Sequence, residues 1–204
     1  MGTNLSSRVL AALCSLLLVA AAPTAAGAST AATAASPLVA GTFDPPRVAP
    51  DFSLRGSDGN ELTLGRYRGK VVILGFGFTS CPAICPTTLS VLAQARKKLA
   101  ADASEIQVVY VTVDPQRDDE KRLHDFLAGF DATFVGGTGS EEQLAAVRTG
   151  YGVSATRMPF GESYGFNHSS FTYLIDRDGN LRALMPYGHT PDDYVHDVRI
   201  LLGR

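Results

Sequence analysis

Tryptophan is missing from these 204 residues, and cysteine is scarce: Cys14, Cys81 and Cys85 are the three. Cys14 falls in an N-terminal targeting segment, which leaves one thiol pair in the mature chain. A single pair excludes a disulfide-rich scaffold and cannot supply the four thiolates of a structural zinc site. No excess of one charge exists either. Eighteen Lys and Arg stand against twenty Asp and Glu, a net charge of -2, which gives no basis for binding nucleic acid or a strongly anionic surface. The one long apolar run, Val9 to Ala22, is short for a membrane-spanning helix. The chain as a whole is 45% apolar, the composition of a soluble globular domain, and long enough for one full core.

The N-terminus supports export. Arg8 is a thin positive region, Val9 to Ala22 the apolar region, and Ala26-Gly27-Ala28 a small-x-small cleavage site before Ser29. Residues 1–28 are therefore expected to be a signal peptide. An uncleaved anchor stays open as the alternative, because alanine continues through Ala35. Leu13 before Cys14, where a small residue is wanted, argues against a lipoprotein signal. Residues 29–46, rich in Ala, Thr, Ser and Pro with almost no charge, read as a linker. The globular domain is expected over 47–204.

That domain is organised around Gly75-Phe76-Gly77-Phe78-Thr79-Ser80-Cys81-Pro82-Ala83-Ile84-Cys85-Pro86-Thr87-Thr88. Val71-Val72-Ile73-Leu74 leads in as a buried strand, and Leu89 to Leu99 leads out as a helix. Both thiols thus sit on a strand-to-helix turn at the carboxyl end of a sheet, where open α/β sheets place their sites. Near the helix N-terminus the dipole favours thiolate over thiol. A structural disulfide or two buried apolar cysteines is the competing use, but these thiols share a turn rather than stapling distant segments.

Along the chain, Ser57-Asp58-Gly59-Asn60 turns into Glu61 to Leu64 as an N-terminal hairpin. Ile106 to Val113 is nearly continuous in apolar and β-branched residues and suits a parallel strand covered on both faces. Asp118-Asp119-Glu120 is expected to open a helix whose apolar face is Leu123, Phe126 and Leu127. Phe134 to Gly137 reads as a short strand and turn. Ser140-Glu141-Glu142-Gln143 resembles a capping box. Ser170 to Asp176 and Leu181 to Met185 flank the Asp178-Gly179 turn as a second hairpin, and Pro191-Asp192-Asp193 opens a last helix. A βαβ unit followed by a ββα unit predicts an α/β, thioredoxin-like fold, a central mixed sheet flanked by helices. The segment from Ser154 to Asn167, rich in Gly, Phe and Tyr, is an insertion beside the site. A mobile flap and a rigid hairpin fit its composition equally well.

The three residues between Cys81 and Cys85 are one more than redox thioredoxins use. On a turn entering a helix this spacing lets both sulfurs face one point, and soft sulfur selects Cu(I) or Zn(II). With no further cysteine, two sulfurs plus one imidazole suit low-coordinate copper. Disulfide exchange competes for the same atoms. Of the four histidines, His124 and His196 lie on helices and His189 in a loop, positions that suggest structural or solvated roles. His168 follows the insertion and precedes the strand that runs beside the cysteine turn.

Three separated motifs carry a resemblance: Phe78-Thr79-Ser80-Cys81-Pro82-x-x-Cys85-Pro86-Thr87-Thr88-Leu89, Val113-Asp114-Pro115-x-Arg117-Asp118, and His168-x-x-x-x-Tyr173-Leu174-Ile175-Asp176-x-Asp178-Gly179. In this order they resemble the SCO/SenC family of copper-handling, thioredoxin-like proteins, over essentially the whole domain from about Val48. The resemblance implies that Cys81, Cys85 and His168 bind one copper ion, Cu(I) or Cu(II), and that Asp114 supports the ligands without being one. It also implies assembly of the copper-A centre of cytochrome c oxidase, as metallochaperone, thiol-disulfide reductase or both. Two departures remove negative charge near the site: Ala83 stands where the family often has an acid, and Asn167 where it has an aspartate.

The expected protein is a copper-binding assembly factor outside the cytoplasm, periplasmic or membrane-attached. It is expected to be monomeric and membrane-proximal, and to act by ligand exchange rather than turnover. Its partner would be the copper-A subunit or another copper chaperone, with no role for nucleic acid. The alternative is a thiol-disulfide oxidoreductase that keeps a partner's cysteines reduced, with Cys81 and Cys85 as its redox pair. A peroxidase, suggested by Phe78-Thr79-x-Cys81, leaves His168 unexplained.

Overall fold

The structure, a computed structural model, describes residues 37–204. The expected signal peptide with Cys14, and the linker up to residue 36, lie outside the described residues. The main sheet has eight strands: β1 (Gly41–Val48), β2 (Leu54–Gly56), β3 (Glu61–Leu62), β4 (Val71–Gly77), β5 (Ile106–Thr112), β6 (Val135–Thr138), β9 (Phe171–Ile175) and β10 (Asn180–Pro186). Between β6 and β9 in the sequence, β7 (Ala155–Phe160) and β8 (Ser163–His168) form a separate two-stranded sheet. The helices are α1 (Ile84–Leu99), α2 (Glu120–Ala128), α3 (Glu141–Tyr151) and α4 (Pro191–Leu201). Strand order in the main sheet is β1-β10-β9-β4-β5-β6-β2-β3.

The two apolar runs that stand out in the sequence are its centre. Every residue of β4 and of β5 is buried, and the two pair in parallel from Val71 opposite Ile106 to Gly77 opposite Thr112. Each aliphatic side chain buried this way contributes about 1.5–3 kcal/mol before entropy is subtracted. On the other flank β9 pairs with β4 antiparallel, with Thr172 opposite Gly75. The register has one consequence for function. The carboxyl ends of β4 and β5 and the entrance to β9 meet at one edge of the sheet. The loop after β4 carries the cysteines, the loop after β5 carries Asp114, and the residues before β9 carry His168.

The central mixed sheet flanked by helices is as the sequence predicts, including the β2–β3 and β9–β10 hairpins. Ser140 and Gln143 form the expected capping box at the start of α3, and Gly152 ends that helix in the left-handed region at φ 68°. Thr190 and Asp193 cap α4 in the same way, behind Pro191.

Several boundaries differ: α1 starts at Ile84 rather than Leu89, and three more differences lie at β1, α2 and β6. The linker reading of 29–46 fails from residue 37 onward. The buried Asp197 carboxylate of α4 accepts the Val39 and Ala40 N–H groups at 2.8 and 2.9 Å, and β1 pairs antiparallel with β10. β1 is an edge strand with a register shift between Thr42 and Arg47, where Pro45 and Pro46 cannot donate to a ladder. Most of its side chains are exposed, which is why its composition looks unstructured. Second, Asp118 does not open α2. Asp119 is the N-cap, accepting from Arg122 N–H, while Asp118 is fully buried. Third, β6 starts one residue later than expected, at Val135.

Candidate metal centre

Cys81 lies in the turn after β4 and is half-buried; Cys85 is in the first turn of α1 and is 2% exposed. Both are free thiols. The helix start brings them together, with the Cys85 N–H pointing at Cys81 Sγ, 3.4 Å away. Their environments drive the two sulfurs apart. A hydrogen bond from the Cys85 thiol, helped by the N–H groups of Cys85 and Ala83 and by His168, lowers Cys81 to about 5 against the opposing effect of burial. The same bond, together with burial, pushes the Cys85 thiol up. One sulfur is a standing thiolate facing solvent. The other is a buried thiol that gives up its proton only to a strong competitor such as a metal ion.

His168 ends β8. Its Nε2 is 3.8 Å from Cys85 Sγ, and its Nδ1 is 2.9 Å from the Ser169 carbonyl oxygen. A carbonyl only accepts, so Nδ1 carries a proton there, and Nε2 is the ring nitrogen that faces the sulfur. Phe78 stacks edge-on against His168, with ring centroids 6.0 Å apart, and against Phe166 at 5.5 Å. The other imidazoles are elsewhere: His124 is exposed on α2, His189 faces Asp193 at 3.3 Å and His196 faces Asp197 at 2.9 Å. Among the described residues no three His, Cys, Asp or Glu side chains already stand in metal-holding geometry. Cys81, Cys85 and His168 would have to draw together around an ion.

Asp114 is 1% exposed and reaches the β7–β8 hairpin rather than the sulfurs. It pairs with Arg117 and accepts the Tyr164 hydroxyl at 3.0 Å. Arg117 in turn donates to the Tyr164 carbonyl at 3.1 Å, and the guanidinium groups of Arg117 and Arg157 lie 3.8 and 3.5 Å from the Tyr164 ring centroid. The strand that ends in His168 is clamped at Tyr164 by the loop after β5. Ala83 and Asn167 are both exposed, so the two missing carboxylates thin out charge at the solvent-facing rim.

Sequence reasoning passes over two further groups. Asp118 accepts Thr79 N–H at 3.0 Å, Thr79 Oγ1 at 2.6 Å and Thr112 Oγ1 at 2.7 Å, bracing the turn that carries Cys81. Tyr110, on β5, aims its buried hydroxyl at Cys85, and burial pushes its pKa well up, so it stays a neutral O–H donor. Ile84, Phe171 and Tyr187 are large apolar residues left exposed around a small cleft, about 20 Å³, that Cys85 and His168 also line.

The SCO1/SenC family profile matches residues 40–203. The SCO2-like protein of Rickettsia conorii is 35% identical over 156 residues, which are 75% of this chain and 76% of that protein. Arabidopsis thaliana ScoI, solved with copper bound, superposes with a TM-score of 0.71 at 31% identity, over 76% of this chain and 98% of that one. BsSco, a member of the Sco family of cytochrome c oxidase assembly proteins in which a disulfide switch was identified, gives 0.64 at 25% identity, over 79% and 97%. The matched region runs through all three sequence motifs and through the edge of the sheet where Cys81, Cys85 and His168 meet. The chain belongs to the SCO1/SenC family.

Proposed function

We propose that the chain is an extracytoplasmic copper metallochaperone that holds one copper ion, Cu(I) or Cu(II), through Cys81, Cys85 and His168 and serves the copper-A centre of cytochrome c oxidase. The observation that carries this reading is His168 Nε2 set 3.8 Å from the Cys85 sulfur. A dithiol reductase has no use for that imidazole, whereas two soft sulfurs and one nitrogen form a copper-selective donor set. The family relationship supports it, as does copper in the related Arabidopsis protein.

The residues divide the work. Cys81, ionised and accessible, meets the incoming ion first. Cys85 releases its proton as its sulfur is metallated. His168 closes the site from a hairpin outside the main sheet, so it is the ligand a recipient displaces first. The recipient is the copper-A subunit or another copper chaperone, docking on the apolar rim of Ile84, Phe171 and Tyr187. The leader-like N-terminus supports export and a membrane-proximal position, periplasmic or membrane-attached. No helix among the described residues is long and apolar enough to cross a membrane. All three donors come from one chain, which fits a monomer. The reductase reading uses the same sulfurs, and the low pKa of Cys81 suits it, but it leaves His168 without a part.

Metal analysis of the reduced chain tests this. One copper per chain is expected when Cys81 and Cys85 are reduced, and much less once they are joined as a disulfide. Cys81→Ser or Cys85→Ser should abolish tight Cu(I) binding. His168→Ala should weaken binding and alter the Cu(II) spectrum while leaving the dithiol oxidisable, and His124→Ala should do neither. Stoichiometric copper binding indifferent to oxidation of the pair would overturn the proposal.

A further inference from the structure

Four buried side-chain polar atoms among the described residues have no hydrogen-bond partner, and the Tyr110 hydroxyl is one of them. Its position is specific. Gly77, the last residue of β4, pairs with Thr112 of the neighbouring strand, and a Cβ placed on it would meet Tyr110 Oη at 1.8 Å and Cys85 Sγ at 2.8 Å. The hydroxyl and the sulfur therefore crowd the same point above Gly77, and only a residue without a side chain leaves room for both. Tyr110 is 3% exposed, enclosed by the core on the side away from Cys85. A buried hydroxyl with no partner destabilises a fold, whereas phenylalanine would fill the same space without that cost. The Cys85 sulfur lies beside the hydroxyl, and as a protonated thiol it is a poor acceptor.

We infer that the Tyr110 hydroxyl is a reserved donor to the Cys85 sulfur, engaged when that sulfur binds copper as a thiolate. The inference rests on the copper reading above and deepens it, adding a positioning residue behind one ligand. A thiolate accepts a far stronger hydrogen bond than a thiol, so the contact favours the loaded state over the empty one. A side-chain hydroxyl at the Cys85 sulfur, against backbone N–H groups at Cys81, gives the two thiolates different surroundings. With the hydroxyl bond Cys85 is a weaker electron donor to the ion than it would be without it, and hydrogen bonding at a thiolate sulfur is an established lever on copper's redox potential and spectrum. Cys81, approached by the backbone N–H of Cys85, lacks this side-chain donor. The arrangement biases the site toward Cu(I) and holds Cys85 in the orientation the ion needs.

Tyr110→Phe deletes one oxygen and is the direct test, made on the full reduced chain loaded with copper. The empty variant should be no less stable to heat than the wild type, because the lost hydroxyl had no protein partner. The loaded variant should bind copper about tenfold more weakly in competition with a chelator. Its sulfur-to-Cu(II) charge-transfer band should move to lower energy. Site-specific 3-fluorotyrosine at position 110, a stronger donor, should move the band the opposite way, and this arm stands even if Tyr110→Phe does not fold. A wild type that shows no sulfur-to-copper band would overturn the copper reading and this inference with it. A wild-type band that stays put with 3-fluorotyrosine, or with Phe at unchanged affinity, would overturn the inference alone.

Discussion

The two sulfurs should give the chain an inverted alkylation profile. Cys81 is held near 5 by its contacts with Cys85, against about 8.5 for the same thiol in an unfolded chain. At pH 6 the folded thiol is then about 90% thiolate and the unfolded one about 0.3%, a ratio of roughly 300. Nucleophilicity falls with basicity, with a slope of about 0.45, and over about 3.5 pH units this removes a factor of roughly 40. The product is alkylation of Cys81 about eightfold faster than in the unfolded chain at pH 6. At pH 8 the thiolate ratio shrinks to roughly 4, and the folded thiol becomes about tenfold slower. The curves should cross near pH 7, and partial burial of Cys81 would lower the folded curve without changing its shape.

The assay is iodoacetamide labelling of the metal-free reduced chain with and without urea, with each cysteine read by peptide mass. Cys85, buried and shifted upward, should remain unlabelled in the folded protein until pH is well above neutral. Folded Cys81 should show a flat rate above about pH 6. Linkage gives a companion sign. A depressed thiol pKa contributes stability that is complete above the unfolded value and is lost as pH falls toward about 5. A folded Cys81 whose rate keeps rising tenfold per pH unit from 6 to 8 would refute the reasoning, because it would place the thiol at its ordinary value.

Asp118→Ala should cost roughly 2 kcal/mol in urea unfolding, since it removes the acceptor of the buried Thr112 hydroxyl and of the half-buried Thr79 N–H and hydroxyl, and a loss under about 0.5 kcal/mol would dismiss the brace. Tyr164→Phe, which cuts the hairpin's bond to Asp114, should speed amide exchange across β8 in the empty protein, and copper should slow it again in the wild type. Equal, strong protection of β8 in every form, measured by hydrogen exchange, would show the hairpin to be rigid and would move copper release onto the cysteines. Asn167→Asp should raise the alkylation crossover by roughly a quarter of a pH unit at low salt and less at high salt, as a screened like charge does. A crossover that does not respond would show that rim charge does not reach the sulfurs.

The fold was legible where burial and chemistry coincide in sequence. β4 and β5 are buried on both faces, so their residues are uninterrupted apolar runs. The Ser140–Gln143 and Pro191 helix starts declare themselves because capping demands particular residues at fixed offsets. β1 was invisible for the opposite reason. It is an exposed edge strand whose anchor, Asp197, stands some 157 positions away, and no local pattern records that bond. A buried carboxylate and a solvated one look the same in a sequence. Asp118 and Asp119 are neighbours in the chain, yet one is fully buried under the cysteine turn and the other caps a helix.

The candidate site divides along the same line. Cys81, Cys85 and His168 could be picked out because scarce residue types sit in recognisable spacings at the ends of strands. Their supports could not, because each depends on the strand register. Tyr110 reads as one more apolar residue of β5 until pairing of Gly77 with Thr112 sets its hydroxyl over Cys85. Asp114 is expected to support the ligands without being one, and its carboxylate accepts the Tyr164 hydroxyl of the hairpin that carries His168, a contact no local pattern records. The three proposed ligands thus have different nearest supports: Asp118 braces the turn of Cys81, the α1 N-terminus and Tyr110 face Cys85, and the Asp114–Arg117 clamp holds the strand of His168. The side chains that hold the imidazole differ from those that brace the sulfurs, and the two sets touch where Phe78 of the cysteine turn stacks on His168 and where Asp118 N–H bonds the Asp114 carbonyl, so one ligand can leave while the others keep their own braces. That separation is what a protein needs if it must grip an ion with three ligands and still surrender it one ligand at a time.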